Sequence, residues 1–435
     1  MATPIRARDR FPWLGAALIL AVTTALYAHT VSHDFLGDDD TQIVTNPAVL
    51  HGAPLRDYFF DRDTYSTNRR YNETTYRPLR TLAFRGVALL GGRAGPRPIC
   101  FGVVNLILYG LSILLVLELA LRVSGDRAAA TVAAGLWALW SVHVETVVYA
   151  SALGDQLSSF CELAALWLAA RLLAHEGWGR ARAISCGCAA TVLAAVALYS
   201  KEAAVTEVGL LVLGLWLSRV RGKRAWRGVW LAVAWTILTF VYLGMRTLVL
   251  GQVGQDPLTF RLFFHGLKMA PVLLWVYGWL TLAPLGHRFI RIVPTPSLAE
   301  ALFATAGIAL VAWLAVRLDR RFRTTGLRFG LGWFVLGLLP VLHLVPVWLD
   351  VADRFALVGS VGLAVVVAVL WAALPERRRA PTALALVAAL VYSAGTLVEE
   401  RAWKDTPTLF GHAAYDEPTS YLAHANLAVV LYEQA

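Results

Sequence analysis

The sequence predicts an all-α membrane protein that crosses the bilayer many times. Of its 435 residues, 58% are hydrophobic and only 16% are charged, whereas soluble domains carry about 25% charged residues. Apolar runs of about 18–20 residues, long enough to cross the hydrocarbon core, recur along the whole chain. The net charge of +10 is divided among short loops between these runs. This pattern indicates membrane topology and not a nucleic-acid-binding stripe.

Hydropathy predicts eleven crossings. They lie near residues 11–31, 99–121, 128–141, 157–174, 183–199, 203–218, 228–249, 297–316, 329–347, 356–374 and 382–398. The basic residues Arg6, Arg8 and Arg10 before the first run also suit a signal peptide. The many spans that follow favour an uncleaved first helix.

Basic residues follow alternate spans and fix the orientation. The N-terminus and the loops around 122–127, 171–182, 219–227, 317–328 and 376–379 together hold 21 Lys or Arg against 5 Asp or Glu. The positive-inside rule places all of them in the cytoplasm.

A twelfth apolar stretch, 265–285, is ambiguous. If it crossed the membrane, the later basic clusters would lie outside. We therefore predict a re-entrant or interfacial segment, broken at Pro271, Gly278 and Pro284, which needs protein or water around it.

The chain divides into a transmembrane domain, residues 1–398, and a short polar helical tail, 399–435. The first outer loop, 32–98, belongs to the transmembrane domain. Four cysteines lie in or beside apolar segments, so neither a disulfide framework nor a zinc cluster is predicted.

Ionisable residues collect on the outer face of this predicted topology, and ionisable residues at membrane depth indicate function by default. They are Asp38, Asp39, Asp40, His143, Glu145, Asp155, Lys201, Glu202, Arg246, Asp353 and Arg354. Most of them have a structural alternative. The aspartates suit a solvated turn at Gly37, and Lys201 with Glu202 suits a snorkelling pair. His143 with Glu145 suits side chains that satisfy loop backbone groups, and Asp353 with Arg354 suits a surface ion pair.

Motifs in the first loop carry a family resemblance. The segment 35–47 reads FLGDDDTQIVTNP, and 76–79 reads YRPL. Further matches in order are VHVE at 142–145 with Asp155, SKE at 200–202, Arg246 before LG at 250–251, GWF at 332–334, and ADRF at 352–355. The chain resembles bacterial relatives of the transmembrane and tetratricopeptide-repeat O-mannosyltransferases, in the GT-C glycosyltransferase superfamily.

The resemblance implies a GT-C-like bundle and an inverting enzyme that uses a polyprenyl-phosphate sugar. It transfers mannose or a similar sugar to a hydroxyl, such as Ser or Thr of a protein, on the outer face of the membrane. Its implied base is Asp38 or Asp39. Cations that neutralise the departing phosphate are Lys201, Arg246 and Arg354.

Supporting residues are implied as well. Glu202 and Asp353 orient those cations, Arg77 closes the first loop over the site, and Asn46, His143, Glu145 and Asp155 complete it. No cofactor is required, although the three adjacent carboxylates leave room for a divalent metal. The implied partners are the lipid-linked donor, a protein or glycan acceptor and the bilayer, without nucleic acid.

The tail also fits the family. Phe410, Ala413 and Pro418 match one tetratricopeptide repeat, and Leu427 and Ala428 begin a second. Since such repeats need about three units to bury a core, this tail is not an independent solenoid.

Several family positions differ. The family has His at Gly102 and Tyr109, His-Pro at Trp140-Ser141, Arg at Leu153 and Glu at Asp353. These differences bear on donor specificity and activity, so two alternatives stay open: a lipid-carrier flippase or transporter, and an inactive relative that acts as a scaffold. The expected location is a bacterial inner membrane, with the site and the C-terminus extracytoplasmic.

Overall fold

A computed structural model describes residues 11–175, 177–218, 220–251, 259–345, 351–374 and 379–434. Several predicted features lie outside these residues. They are the basic residues Arg6, Arg8, Arg10, Arg219, Arg377 and Arg378, the acidic residues Asp9, Glu176 and Glu376, the end of the span 329–347, and residue 435.

Helices account for nearly all regular structure in the described residues, which contain no strand and one isolated antiparallel bridge between Arg291 and Val351. The first helix and the first-loop helices are α1 (Trp13–Tyr27), α2 (Pro47–Leu50), α3 (Leu55–Phe60), α4 (Arg69–Thr74) and α5 (Pro78–Leu90). The central helices are α6 (Pro98–Ser124), α7 (Arg127–Leu139), α8 (Val144–Val148), α9 (Leu153–Ala174), α10 (Arg180–Ser200), α11 (Glu207–Ser218) and α12 (Lys223–Leu250). The remaining helices are α13 (Phe260–Leu282), α14 (Leu298–Phe322), α15 (Gly326–Leu338), α16 (Ala356–Ala372), α17 (Arg379–Glu399), α18 (Thr406–Asp416) and α19 (Tyr421–Gln434).

The predicted all-helical membrane fold is confirmed. Seven described helices are long and apolar enough to cross a bilayer, and α7 with α8 forms one further candidate that bends by 53°. The other predicted crossings, α1, α11 and α15, are shorter helices of 15, 12 and 13 residues. Large apolar side chains such as Trp216, Phe240 and Leu390 are exposed on the bundle surface, as expected of helices that face lipid.

The bundle core forms where α6, α7 and α16 meet, around Trp137, Val116 and Val361. The α15–α16 contact depends on small residues. A Cβ placed on Gly337 would lie 2.8 Å from the Cα of Gly359. Two helices can approach this closely only without side chains, as in other membrane helix pairs.

Helix α13 covers the ambiguous stretch. It continues without a break through Pro271 and Gly278 and ends before Pro284, so the predicted interruption is wrong. Its 23 residues extend about 34 Å.

Both ends of α13 nevertheless pack near one face of the bundle. Gly266 contacts the backbone of His343, and the Pro284 carbonyl accepts a hydrogen bond from Ser141 Oγ at 3.0 Å. At mid-helix, Trp275 donates to the Ala304 carbonyl in the first third of α14. These contacts favour a helix that lies along that face, and its failure to cross stays a prediction.

Helices α18 and α19 contact each other and pack on this same face. Phe410 packs against Phe289 with ring centroids 5.7 Å apart, and Arg288 pairs with Glu417 at 3.2 Å. The His33 ring lies 3.0 Å from the Trp403 carbonyl, at the entrance to the tail. The tail is therefore docked against the loops and does not stand alone.

Candidate functional site

Two cavities adjoin on the face that carries the first loop, and both are lined by Asp155 and Arg354. The span-side cavity is lined by Asp155, Ser158, Ser159, Glu162, Lys201, Ala203, Gly337, Val341, Arg354, Phe355, Leu357 and Val358. The loop-side cavity is lined by Asp38, Gln42, Tyr71, Arg77, Arg80, Tyr149, Ser151, Ala152, Asp155 and Arg354. The sequence-predicted residues therefore do converge, although not all of them reach a cavity.

Asp38 presents its carboxylate to the loop-side cavity. Gly37 precedes it with φ +46°, a left-handed conformation that glycine adopts easily. The backbone N–H of Asp38 donates to the Tyr149 hydroxyl at 3.1 Å, which fixes the turn. The carboxylate itself is exposed and accepts no hydrogen bond from the described residues.

Asp39 points the opposite way and is fully buried. Its carboxylate accepts hydrogen bonds from the Leu36 N–H at 2.9 Å, from the Ser151 N–H at 2.7 Å and from the Ser151 hydroxyl. Burial raises the pKa of this carboxyl to about 7, although the Ser151 and Leu36 donors oppose the rise. Asp39 joins the loop to the bundle: both of its oxygens accept from protein donors, and it lines neither cavity described above. This geometry separates the two predicted bases.

Asn46 shapes the loop from within. Its side chain caps α2 by accepting from the Ala48 N–H at 2.9 Å. Its amide donates to the carbonyls of Gln42 and Thr64 at 3.2 and 3.0 Å. Asn46 is fully buried, so its role is to hold the turn that carries Asp38.

Arg77 fastens the loop to the end of α10. Its Nε and Nη2 donate to the two carboxylate oxygens of Glu202 at 2.8 and 2.5 Å. Burial opposes ionisation of Glu202, but the charge and hydrogen bonds of Arg77 lower the pKa of that carboxyl well below its ordinary range. Arg77 and Glu202 thus form a forked ion pair, and closure of the loop over the site by Arg77 stays a prediction.

Lys201 and Arg354, the two predicted phosphate-binding cations that line the cavities, have partners other than those expected. Lys201 pairs with Asp155 and lies 5.0 Å from the centroid of the Phe355 ring. Arg354 pairs with Glu145, which also accepts from the Arg354 N–H at 2.9 Å. Carboxylates from α8 and α9 thus hold both cations toward the cavities.

The sequence predicts that Asp353 orients a cation of the site, but Asp353 contacts His287 and not Arg354. It binds His287 Nδ1 at 2.6 Å, and the His287 Nε2 lies 3.1 Å from the Ala283 carbonyl. Asp353 therefore secures the segment after α13. The sequence offered no sign of His287, which stands alone in a loop.

Arg246 and His143 lie behind the cavities. Arg246 donates to the Thr74 carbonyl at 2.7 Å and attracts Glu202, so it supports the first loop. His143 is fully buried, 2.9 Å from the Tyr109 hydroxyl and 3.0 Å from Ser360 Oγ. It is a core histidine that joins α6 to α16.

Sequence reasoning missed Arg80, Tyr71, Tyr149 and Ser151, which all line the loop-side cavity. The only signal for Arg80 is its spacing of three residues from Arg77, which places both on one face of a helix. Its stem packs against Gly154, next to Leu153, where the family has Arg.

The three adjacent carboxylates of Asp38–Asp40 leave room, in the sequence, for a divalent metal. In the part of the chain that the structure describes, no three His, Cys, Asp or Glu side chains are grouped to hold a metal ion. Asp39 points away from Asp38 and is already bonded to protein donors.

Similarity to known proteins agrees with the motifs. No protein-family model matches the chain. Protein O-mannosyl-transferase TMTC4 of Homo sapiens is 25% identical over an alignment that covers 96% of this chain and 63% of TMTC4. TMTC1 of Homo sapiens is 36% identical over 31% of this chain and 15% of its own length. Drosophila melanogaster Tmtc1 is 29% identical over 46% of this chain and 22% of its own length.

Two solved structures of membrane proteins align with most of the chain at low sequence identity. ArnT from Cupriavidus metallidurans, bound to undecaprenyl phosphate, gives a TM-score of 0.49 at 13% identity, covering 89% of this chain and 75% of ArnT. Archaeal oligosaccharyltransferase AglB from Archaeoglobus fulgidus, in complex with an inhibitory peptide and a dolichol-phosphate, gives 0.47 at 14% identity, covering 96% and 59%.

The chain spans less than two thirds of the length of each curated relative named above. The similarity is distributed over almost the whole chain, from the first loop to the tail. The resemblance inferred from the motifs is thereby confirmed: this chain is similar in sequence to the TMTC protein O-mannosyl-transferases.

Proposed function

We propose that the protein transfers a sugar, mannose or a similar hexose, from a polyprenyl-phosphate donor to a hydroxyl group on the outer face of the membrane. One observation carries this proposal. An exposed carboxylate without a hydrogen-bond partner, Asp38, lines the same cavity as Arg354, and Arg354 in turn lines the adjoining cavity with Lys201. A candidate base and candidate phosphate-binding cations thus line adjoining cavities, and this supports the proposal.

The donor phosphate suits the span-side cavity. Phe355, Leu357 and Val358 give that cavity an apolar side, fit for the first prenyl units. The Lys201 ammonium and the Arg354 guanidinium stabilise the negative charge that gathers on the phosphate as it leaves. Burial lowers the pKa of Lys201, and the charge and hydrogen bond of its partner Asp155 oppose that lowering.

The acceptor hydroxyl suits the loop-side cavity, where Asp38 is the base. The hydroxyl proton passes to the Asp38 carboxylate while the oxygen attacks the anomeric carbon. The bond from that carbon to the phosphate oxygen breaks, and the electron pair leaves with the phosphate. Attack from the side opposite the phosphate inverts the anomeric configuration.

Four residues have a positioning role and do not touch the substrates: Asp39, Asn46, Arg77 and Glu202. They hold the loop that carries Asp38 over the helix ends that carry Lys201 and Arg354. Arg246 lines neither cavity described above, so we do not assign it to the donor phosphate. It supports the loop through the Thr74 carbonyl.

A lipid-carrier flippase remains the second candidate because of two carboxylates within the spans. Glu162 borders the span-side cavity and accepts a hydrogen bond from Thr206 at 3.1 Å. Both carboxylate oxygens of the fully buried Glu207 have no partner among the described residues. Intramembrane carboxylates are typical of ion-coupled transport.

The two candidates separate in one preparation. Purified protein in detergent is given radiolabelled polyprenyl-phosphate mannose and hydroxyl-bearing peptides, and label in the peptide is counted. The same protein in vesicles is tested for movement of the labelled lipid between leaflets. Transfer supports the enzyme. Lipid movement without sugar transfer would favour the flippase instead. If neither sugar transfer nor lipid movement is observed, the scaffold alternative is favoured.

A further inference from the structure

Arg80 is a buried cation without an ionic partner. It lies in the first turn of α5, is 2% exposed and lines the loop-side cavity. Its Nη1 donates to the Tyr71 hydroxyl, while Nε and Nη2 have no hydrogen-bond partner. No carboxylate of the described residues lies within ion-pair distance of it.

This separates Arg80 from its neighbours. Arg77, Lys201 and Arg354 each pair with a carboxylate. A guanidinium stays charged in proteins, and a buried charge without a partner is costly. A negatively charged ligand group that enters the cavity would offset the cost of burying the Arg80 charge.

The protein holds Arg80 in place by shape. A Cβ on Gly154 would lie 2.6 Å from the Arg80 side-chain carbons, so glycine makes room for the stem. The guanidinium lies 5.1 Å from the centroid of the Tyr71 ring and 5.2 Å from that of Phe84. Arg80 is thus fixed in position before any ligand binds.

A second polar group in the same cavity also lacks a partner. The carboxamide oxygen of Gln42, which is 2% exposed, accepts no hydrogen bond. The cavity therefore offers a cation for an anionic oxygen, an acceptor for a hydroxyl hydrogen, and the carboxylate of Asp38.

We propose that Arg80 binds a carboxylate carried by the acceptor, close to the hydroxyl that receives the sugar. This inference rests on the proposed function, which places the acceptor beside Asp38 in the loop-side cavity. The donor phosphate, bound by Lys201 and Arg354, is served by the other cavity. The acceptor is then an acidic one: a uronic acid, or a hydroxyl amino acid next to an acidic residue.

The test measures binding of small probes to the purified full chain in detergent, without donor and without turnover. Two matched pairs are used: glucuronate against glucose, and acetyl-Thr-Glu-amide against acetyl-Thr-Gln-amide. Each is titrated into wild type, Arg80→Met, Arg80→Lys and Arg93→Gln, where Arg93 is an exposed residue of the same loop. Thermal midpoints without probe report folding.

We expect wild type and Arg93→Gln to bind the acidic member of one pair at least tenfold more tightly than its neutral counterpart. That pair identifies the acceptor as a saccharide or a peptide. Arg80→Met should lose the preference and keep or raise its thermal midpoint, because an unpaired buried charge is removed. Arg80→Lys should keep part of the preference, since it keeps the charge but not the fork.

Two results would overturn the inference: no preference in wild type for either acidic probe, or a preference that survives in Arg80→Met. If Arg80→Met does not fold, equal preferences in wild type and Arg80→Lys, with a lowered midpoint, count against it. Because no sugar is transferred in this assay, a failure of the proposed function would appear separately, as missing label transfer.

Discussion

The ion pair between Arg77 and Glu202 joins the first loop to the helix bundle, and breaking it should destabilise the protein by a measurable amount. The two side chains are 18% and 35% exposed and form two hydrogen bonds. Exposed pairs contribute about 0.2–1 kcal/mol, and loss of one partner from a buried pair costs about 3–5 kcal/mol. This half-buried forked pair should lie between, at a coupling energy of about 1–3 kcal/mol.

A double-mutant cycle measures that coupling. Arg77→Gln, Glu202→Gln and the double variant are unfolded with denaturant in detergent micelles, and the interaction term is taken from the four free energies of unfolding. The exposed pair of Arg69 and Glu73 in the same loop serves as a matched control. Its coupling should stay at or below about 0.5 kcal/mol.

The coupling should also depend on pH. The pKa of Glu202 is lower in the folded protein than the ordinary value of about 4.3. Its contribution is therefore fully present above that pH and is lost as the pH falls through the folded pKa. A coupling energy near zero at neutral pH, equal to that of the control pair, would refute the account of how the loop is held.

Three further predictions concern topology, ionisation and packing. A reporter fused after Arg291 should read as extracytoplasmic, because α13 is predicted not to cross; a cytoplasmic reading would overturn the eleven-span topology. The Asp39 carboxyl has a raised folded pKa of about 7, so its contribution to stability should fall as pH rises from about 4 to 7; thermal midpoints of Asp39→Asn should lack this slope, and an unchanged slope would contradict the assignment. Gly362→Leu should lower the thermal midpoint by forcing α15 and α16 apart, at a cost of about 1–3 kcal/mol or more, whereas Gly244→Ala, with open space around it, should not.

Much of the fold follows from hydropathy and charge. Long apolar runs such as 99–121 became helices close to their predicted bounds, because burial in lipid leaves the backbone no alternative to internal hydrogen bonds. The predicted break in α13 was wrong because Pro271 and Gly278 were accommodated within a continuous helix. The local sequence indicates that proline and glycine destabilise a helix. It does not show the tertiary packing that offsets this cost.

The candidate site was predictable as a set of residues and not as a set of contacts. Asp38 and Asp39 are neighbours in sequence, and only the left-handed turn at Gly37 decides which one is buried. Lys201 and Arg354 form ion pairs with Asp155 and Glu145, which lie on helices distant in the sequence. Such pairings depend on the tertiary arrangement, which spacing along the chain does not report.

Arg80 escaped prediction for a related reason. Arginine is seldom buried, so an arginine in a polar loop is interpreted by default as exposed to solvent. Its burial depends on the absence of a side chain at Gly154, a residue 74 positions away in the chain.

The most direct test of the central claim compares the three neighbouring aspartates in one assay. Transfer rate and donor affinity are measured for Asp38→Asn, Asp39→Asn and Asp40→Asn with radiolabelled polyprenyl-phosphate mannose. Asp38→Asn should lower the rate about 100- to 10,000-fold with donor affinity nearly unchanged, because the cations bind the donor. Asp39→Asn should lower both the transfer rate and the stability of the protein. Asp40→Asn should change the transfer rate only slightly. Full activity in Asp38→Asn would contradict the assignment of the base.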